Sequence, residues 1–365
     1  MYEASKGRPQ SESPCKPIVL SSEPWFECLL VPAAMHRKLF LKPELAGIAF
    51  QIALGDLVAY ALTKVTARES GTKVSANIGR PCDVVQIMRG GLSFSVDRAL
   101  FRSCGVSPSV SFVSSQRIFD PMGRPAVDDL NYRKWAIQND SLLTLADISA
   151  TGTTIATALD RAVSQYEDEG KQFRYLMAVV IGTPYTESMI KAYNQRLASR
   201  WERFKGTTLV YLERVFSLND QEDPVLLGQK WGIDFFRKRA PVSIESELAV
   251  LAKPELFLER CSIFDGGIRA FQPSLHLEEL RAYWQQLHDR ADPEVLKRMV
   301  AAKTDLFDYS QPYDIWLSQR PWWHEDKVTD LKNVYRAGQE CLDTLMRLDL
   351  LRVCEDRLAS LQRGS

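Results

Sequence analysis

The residues whose spacing could do chemistry lie in LLTLADISATGTTIATALDRA. An apolar run ends at Asp147, three residues follow, and Thr151-Gly152-Thr153-Thr154 leads into a helical pattern. Such a turn aims several backbone N–H groups and three hydroxyls at one point, with the positive end of a helix dipole behind them. That is a cradle for a phosphate dianion, and Gly152 lets the backbone come close to its oxygens. The plain alternative is a helix cap, because Ser, Thr and Asp are the usual capping residues. Upstream, Arg89-Gly90-Gly91 directly follows the apolar run DVVQIM. By itself this could equally be a glycine turn carrying a solvated arginine. Between the two lies SSQRIFDPMGRPAVDDLNYRKW, a polar stretch with Arg117, Arg124, Arg133 and Lys134.

The elements that must position these residues alternate. DVVQIM (83–88), SVSFVS (109–114), SLLTLAD (141–147), YLMAVVIG (175–182) and TTLVYLERVFS (207–217) read as five buried strands. Helical patterns separate them, from about Thr153 to Glu169 and again in TESMIKAYNQRLASRWERF. Strands alternating with helices predict an α/β fold, an open and mainly parallel sheet of about five strands with helices on both faces. Ligands of such sheets bind at the carboxyl ends of the strands, where Asp147 falls. Pro43–Arg68 is predicted as a further helix, apolar around much of its circumference.

Beyond about Gly228 the character changes. HLEELRAYWQQLHDR, DPEVLKRMVAAKTDLF and the run from Asp326 to Gln362 are helical in period. The predicted organisation is a flexible leader over 1–24 with Pro9, Pro14, Pro17 and Pro24, an α/β domain over 25–240, and a mostly helical accessory domain over 241–365.

The chain has 365 residues, with 46 basic and 46 acidic side chains, so net charge gives no case for a general nucleic-acid or membrane binder. Seven cysteines (15, 28, 82, 104, 261, 341 and 354) and four histidines (36, 276, 288 and 324) are dispersed, with no zinc spacing and no hydrolase triad. Reduced thiols in a cytosol fit that dispersion. No signal-peptide core is apparent, and no uninterrupted apolar stretch approaches the ~20 residues of a membrane span. A cytoplasmic location without a membrane partner is expected.

The segment from Leu142 to Thr154 resembles the phosphoribosyl pyrophosphate (PRPP) motif of the type I phosphoribosyltransferases: a hydrophobic strand, two acids, three variable residues, then Thr-Gly-x-Thr/Ser. The resemblance implies that Ala150, Thr151, Gly152, Thr153 and Thr154 hold the 5-phosphate and Asp147 the ribose hydroxyls. The first acidic position is Ala146 here, so one carboxylate stands where most members have two. Arg89-Gly90-Gly91 is similar to the family's pyrophosphate loop, nearest the uracil branch, where a strained and often cis peptide turns an N–H to the ligand. The 115–139 stretch resembles the mobile loop that closes over PRPP, with Arg117 the best match and Arg124, Arg133 and Lys134 as other candidates.

The implied chemistry is displacement of pyrophosphate from ribose C1 through an oxocarbenium-like state. Asp147, Arg89 and Arg117 are its catalytic residues, and Mg²⁺ is held mainly by PRPP rather than by direct protein ligands. The implied partners are PRPP and a small nitrogenous acceptor, a pyrimidine in the uracil branch, and family members are commonly homo-oligomers. The resemblance covers roughly residues 40–215; VFSLNDQEDPVLLGQKWGIDFF does not match the family's base-reading loop, although Phe216, Trp231, Phe235 and Phe236 could stack on a base or simply fill core.

Two further readings stand beside the transferase. One is a PRPP- or nucleotide-sensing regulator without turnover, whose helical region contacts a protein or nucleic-acid partner. Arg237-Lys238-Arg239 with Trp316, Trp322 and Trp323 would be candidate contacts, against the plainer reading of a solvated charge run and core tryptophans. The other is a hydrolase that uses water as acceptor.

Overall fold

The computed structural model describes residues 16–88, 90–114, 116–119, 125–128, 132–222, 230–234, 239–260, 266–323 and 326–363. Eight strands form the main sheet: β1 (Ile18–Glu23), β2 (Phe26–Val31), β3 (Cys82–Met88), β4 (Ser109–Ser114), β5 (Arg133–Lys134), β6 (Ser141–Ser149), β7 (Phe173–Gly182) and β8 (Thr207–Leu212). Their order is β1-β2-β8-β7-β6-β3-β4-β5. The six central strands are parallel, and the two edges, β1 and β5, are antiparallel to their neighbours. All five strands expected from the sequence are present and adjacent.

Alternation within each strand explains the two-layered core. In β6, Leu142, Ala146 and Ile148 face one side, while Leu143 and Leu145 face the other. Both faces are buried, which is why these strands read as continuous apolar runs. Helices α3 (Thr153–Asp168) and α4 (Pro184–Arg200) cover the Leu143 side through Ile155, Leu159, Ile190 and Leu197. Helices α1 (Gly47–Thr66) and α2 (Val96–Cys104) cover the other.

The C-terminal region is mostly helical: α5 (Ile244–Leu251), α6 (Gly266–Phe271), α7 (Pro273–His288), α8 (Pro293–Lys303), α9 (Tyr313–Ser318), α10 (Val328–Met346) and α11 (Leu350–Arg363). Its buried side chains join the same apolar cluster as α1. Fully buried Arg269 fixes it there, donating to the carbonyls of Leu45 (2.7 Å), Lys42 (2.9 Å) and Leu39 (3.0 Å) and stacking on Phe50 of α1.

Two expectations change. Ile18–Glu23 was expected within the leader, yet it pairs with β2. The last strand was drawn through Ser217 but ends at Leu212, because Glu213 turns to φ 65° and its buried carboxylate accepts from Ala33 N–H and from Arg37 Nε at 2.6 Å. Helix α1 is long and apolar enough to cross a membrane by length and composition, although Gln51, Asp56 and Lys64 interrupt its apolar run, as expected from the sequence. Here its apolar surface is largely buried between the sheet and the C-terminal helices.

Candidate functional site

Strand β6 delivers Asp147 toward its carboxyl end, where the residue is 6% exposed. Ala150 to Gly152 then reverse the chain, and α3 begins at Thr153. Gly152 occupies the cap position at φ 83° and offers no side chain to the first N–H groups of α3. A Cβ would be strained at this φ and would also press on the Met189 side chain of α4 at 3.2–3.4 Å. Thr151 Oγ1 and Thr153 Oγ1 lie 2.8 Å apart at the surface of this turn. Backbone donors, two paired hydroxyls and a helix N-terminus therefore converge at one strand end, an arrangement that favours a phosphate oxygen.

The glycine loop reaches the same place. Gly90–Phe94 forms a short helical turn after β3. A Cβ on Gly90 would stand 3.0 Å from Asp147 Oδ1, and one on Gly91 would stand 2.8 Å from the Ala146 carbonyl oxygen. Only a chain without side chains at 90 and 91 approaches β6 so closely. Ser95, which follows this turn, is held at φ 47°, an unfavourable conformation for a residue with a Cβ. Such strain tends to collect at functional sites.

The structure thus brings together Gly90, Gly91, Asp147 and Ala150–Thr154 from the expected set. Arg89, with its preceding peptide bond, and Arg124 lie outside the described residues. Arg117 belongs to a hairpin of Gln116–Phe119 with Pro125–Asp128, whose return strand runs beside α3. Arg133 and Lys134 are exposed on edge strand β5, opposite Val113 and Phe112. Arg161 of α3 donates to the Ser114 carbonyl at 2.6 Å, tying the end of β4 to that helix.

No group of three or more His, Cys, Asp or Glu suited to a metal occurs among the described residues. Phe216 is core, packed on Phe40 at 5.8 Å between ring centroids. Trp231 contributes described backbone only, and Phe235 and Phe236 fall outside. Among the described candidate nucleic-acid contacts, Arg239 and the tryptophans have partners within the chain. Arg239 pairs with Asp308 (3.0 Å) and lies 3.7 Å from Asp305. Trp316 and Trp323 are buried, with Trp323 Nε1 donating to Val242 O at 2.7 Å. Half-buried Trp322 packs on Trp323. Arg237 and Lys238 lie outside the described residues.

Sequence reasoning missed the residues behind the loop. The Thr183 hydroxyl donates to the Ala150 carbonyl, and Thr186 Oγ1 lies 2.7 Å from Ser149 Oγ and 3.2 Å from Ser149 O. The signal was Thr183-Pro184 at the start of α4, which reads as an ordinary helix start.

No family model matches the chain, and no curated protein matches it. Among solved structures it is similar to a hypoxanthine-guanine phosphoribosyltransferase of Bacillus anthracis at 13% identity, over 36% of this chain and 71% of that one, with a TM-score of 0.24. It is also similar to a hypoxanthine phosphoribosyltransferase of Staphylococcus aureus at 15% identity, over 58% of this chain and 96% of that one, with a TM-score of 0.28.

Proposed function

We propose that this chain is a PRPP-binding, phosphoribosyltransferase-like protein that transfers the 5-phosphoribosyl group to a nitrogenous base with release of pyrophosphate. One observation carries the reading: Gly90 and Gly91 converge on Ala146 and Asp147 at the strand end from which Gly152 starts α3. A sugar with phosphate groups at both ends needs two such anion-binding turns flanking one acid. The Thr151–Thr154 turn would take the 5-phosphate, Asp147 the ribose hydroxyls, and the Arg89-Gly90-Gly91 loop the pyrophosphate.

The chemistry asks little covalent work of the protein. Negative charge grows on the leaving pyrophosphate, so fixed backbone donors and arginines lower the barrier electrostatically. Arg89 and a loop arginine, Arg117 first among the candidates, would neutralise that charge. A Mg²⁺ ion fits as a companion of PRPP rather than as a resident ion. One carboxylate, Asp147, with the Thr151 and Thr153 hydroxyls is too few donors to hold it alone, and bound PRPP oxygens and water would complete its shell. The ion would supply charge neutralisation on pyrophosphate. The acceptor is a small base, a pyrimidine if the resemblance to the uracil branch extends that far. We further propose a cytoplasmic homo-oligomer; the five described cysteines (28, 82, 104, 341 and 354) are free thiols.

A second reading, a PRPP sensor without turnover, is favoured by Ala146 at the first acidic position and by the near-complete burial of the single acid. Purified protein incubated with PRPP, Mg²⁺ and a pool of bases separates the two. Base-dependent pyrophosphate release supports the transferase, release without base a hydrolase, and saturable PRPP binding without release the sensor. Neither binding nor release would contradict all three.

A further inference from the structure

Helix α4 meets the phosphate-type turn along one face. Thr183, Thr186, Met189 and Tyr193 are spaced three, three and four residues apart, which places them in one stripe. The first three touch successive points of the turn, and the fourth touches the first turn of α3. The Thr183 N–H donates to Ser149 O at 3.2 Å and its hydroxyl donates to Ala150 O. Thr186 holds Ser149, Met189 packs where a Cβ on Gly152 would go, and Tyr193 Oη donates to Ala156 O at 2.9 Å. Thr183 sits at the cap position of α4 but gives its own helix no side-chain cap. Its hydroxyl is spent across the gap instead, and its carbonyl accepts from Tyr211 Oη of β8 at 2.8 Å.

We propose that Thr183 and Thr186 are positioning residues for the phosphate turn, a role that rests on the PRPP reading. A turn whose N–H groups must converge on one anion gains affinity only if its peptides are oriented before the ligand arrives. Gly152, with its wide conformational freedom, cannot supply that order itself. The buried hydroxyls of Thr183 and Thr186 fix the carbonyls of Ala150 and Ser149, and with them the direction of the N–H groups that follow. Neither threonine touches the ligand.

The test is Thr183→Val, which keeps the shape and removes the donor, compared with Thr183→Ser, which restores it. With PRPP and Mg²⁺ as probe, Thr183→Val should raise the Kd about tenfold, the factor that one lost hydrogen bond of ordinary net strength corresponds to. Thr183→Ser should stay near the parent. Without ligand, amide hydrogen exchange over residues 150–155 should accelerate in Thr183→Val and return in Thr183→Ser. Unchanged exchange there, or acceleration spread evenly over the whole sheet, would overturn the assignment. If the parent does not bind PRPP, the functional reading fails, while the exchange comparison still decides the positioning claim. Should Thr183→Val not fold, Thr186→Val against Thr186→Ser gives the same comparison at Ser149.

Discussion

Replacing Gly91 by alanine places a methyl group 2.8 Å from the Ala146 carbonyl oxygen and 3.2 Å from Ile87 Cβ. Ordinary contact begins at 3.4 Å, so the turn and strand β6 must part by about 0.6 Å. One neighbour is backbone in the middle of a parallel sheet and the other a β-branched carbon, and neither can rotate away. Overpacking of this kind costs about 1–3 kcal/mol. The displacement also falls on the residue before Asp147. A misplacement near 1 Å costs about 10²-fold in a pre-organised site, so a somewhat smaller one should weaken PRPP binding at least tenfold. Urea unfolding and PRPP calorimetry on Gly91→Ala measure both losses. Gly79→Ala is the control, because a Cβ there meets nothing within 4 Å. If Gly91→Ala unfolded and bound ligand like Gly79→Ala, the claimed approach of the glycine turn to β6 would be wrong.

Two further outcomes follow from packing and protonation. A Cβ on Gly338 in α10 would clash with the Tyr309 ring, which is held by Glu247 at 3.0 Å and packs on Trp316. Gly338→Ala should therefore cost about 1–3 kcal/mol in overpacking against a helix-propensity gain of ~1 kcal/mol, a net loss of up to about 2 kcal/mol in urea unfolding; a net gain would refute this packing. Burial holds the His36 imidazole below its ordinary value, with Lys38 adding to the effect and Asp56 and Glu213 opposing it. A lowered folded value means that the contribution to stability is present above the ordinary 6.5 and is lost as pH falls through the folded value. Between about pH 7.5 and 5.5 the parent should therefore lose more stability than His36→Gln. Equal losses would show that His36 titrates as if exposed.

Much of the sheet was legible because central parallel strands are buried on both faces and so stand out as apolar runs. Strand β6 and helix α3 were read almost to the residue, with Gly170 at φ 64° ending the helical stretch as expected. What escaped was non-local. IVLSSE is half-exposed and sits among prolines, so its pairing with FECLLV left no strong pattern. Nothing near Glu213 marks the positive φ that ends β8, because its reason is a carboxylate reaching Ala33 and Arg37 on the other side of the chain. At the site, the spacing of Asp147 and the Thr151–Thr154 turn was visible locally. The Gly91–Ala146 approach and the α4 stripe were not, since each joins segments far apart in sequence. The aromatic and basic residues near 239 and 316–323 looked available for a partner. Among the described ones, Arg239 pairs with Asp308 and the tryptophans pack on one another and on Val242, and tertiary packing alone reveals that.

The central claim is that the turn from Ala150 to Thr154 holds the phosphate of PRPP. Titration calorimetry of PRPP with Mg²⁺ into the parent protein and into a Thr151→Val, Thr154→Val variant tests it most directly, with unfolding curves to show that both are folded. The account predicts saturable binding by the parent and a loss of at least about 100-fold in the variant, two hydrogen bonds to a charged group being at stake. A parent that does not bind PRPP, or a folded variant that binds it equally well, would contradict it.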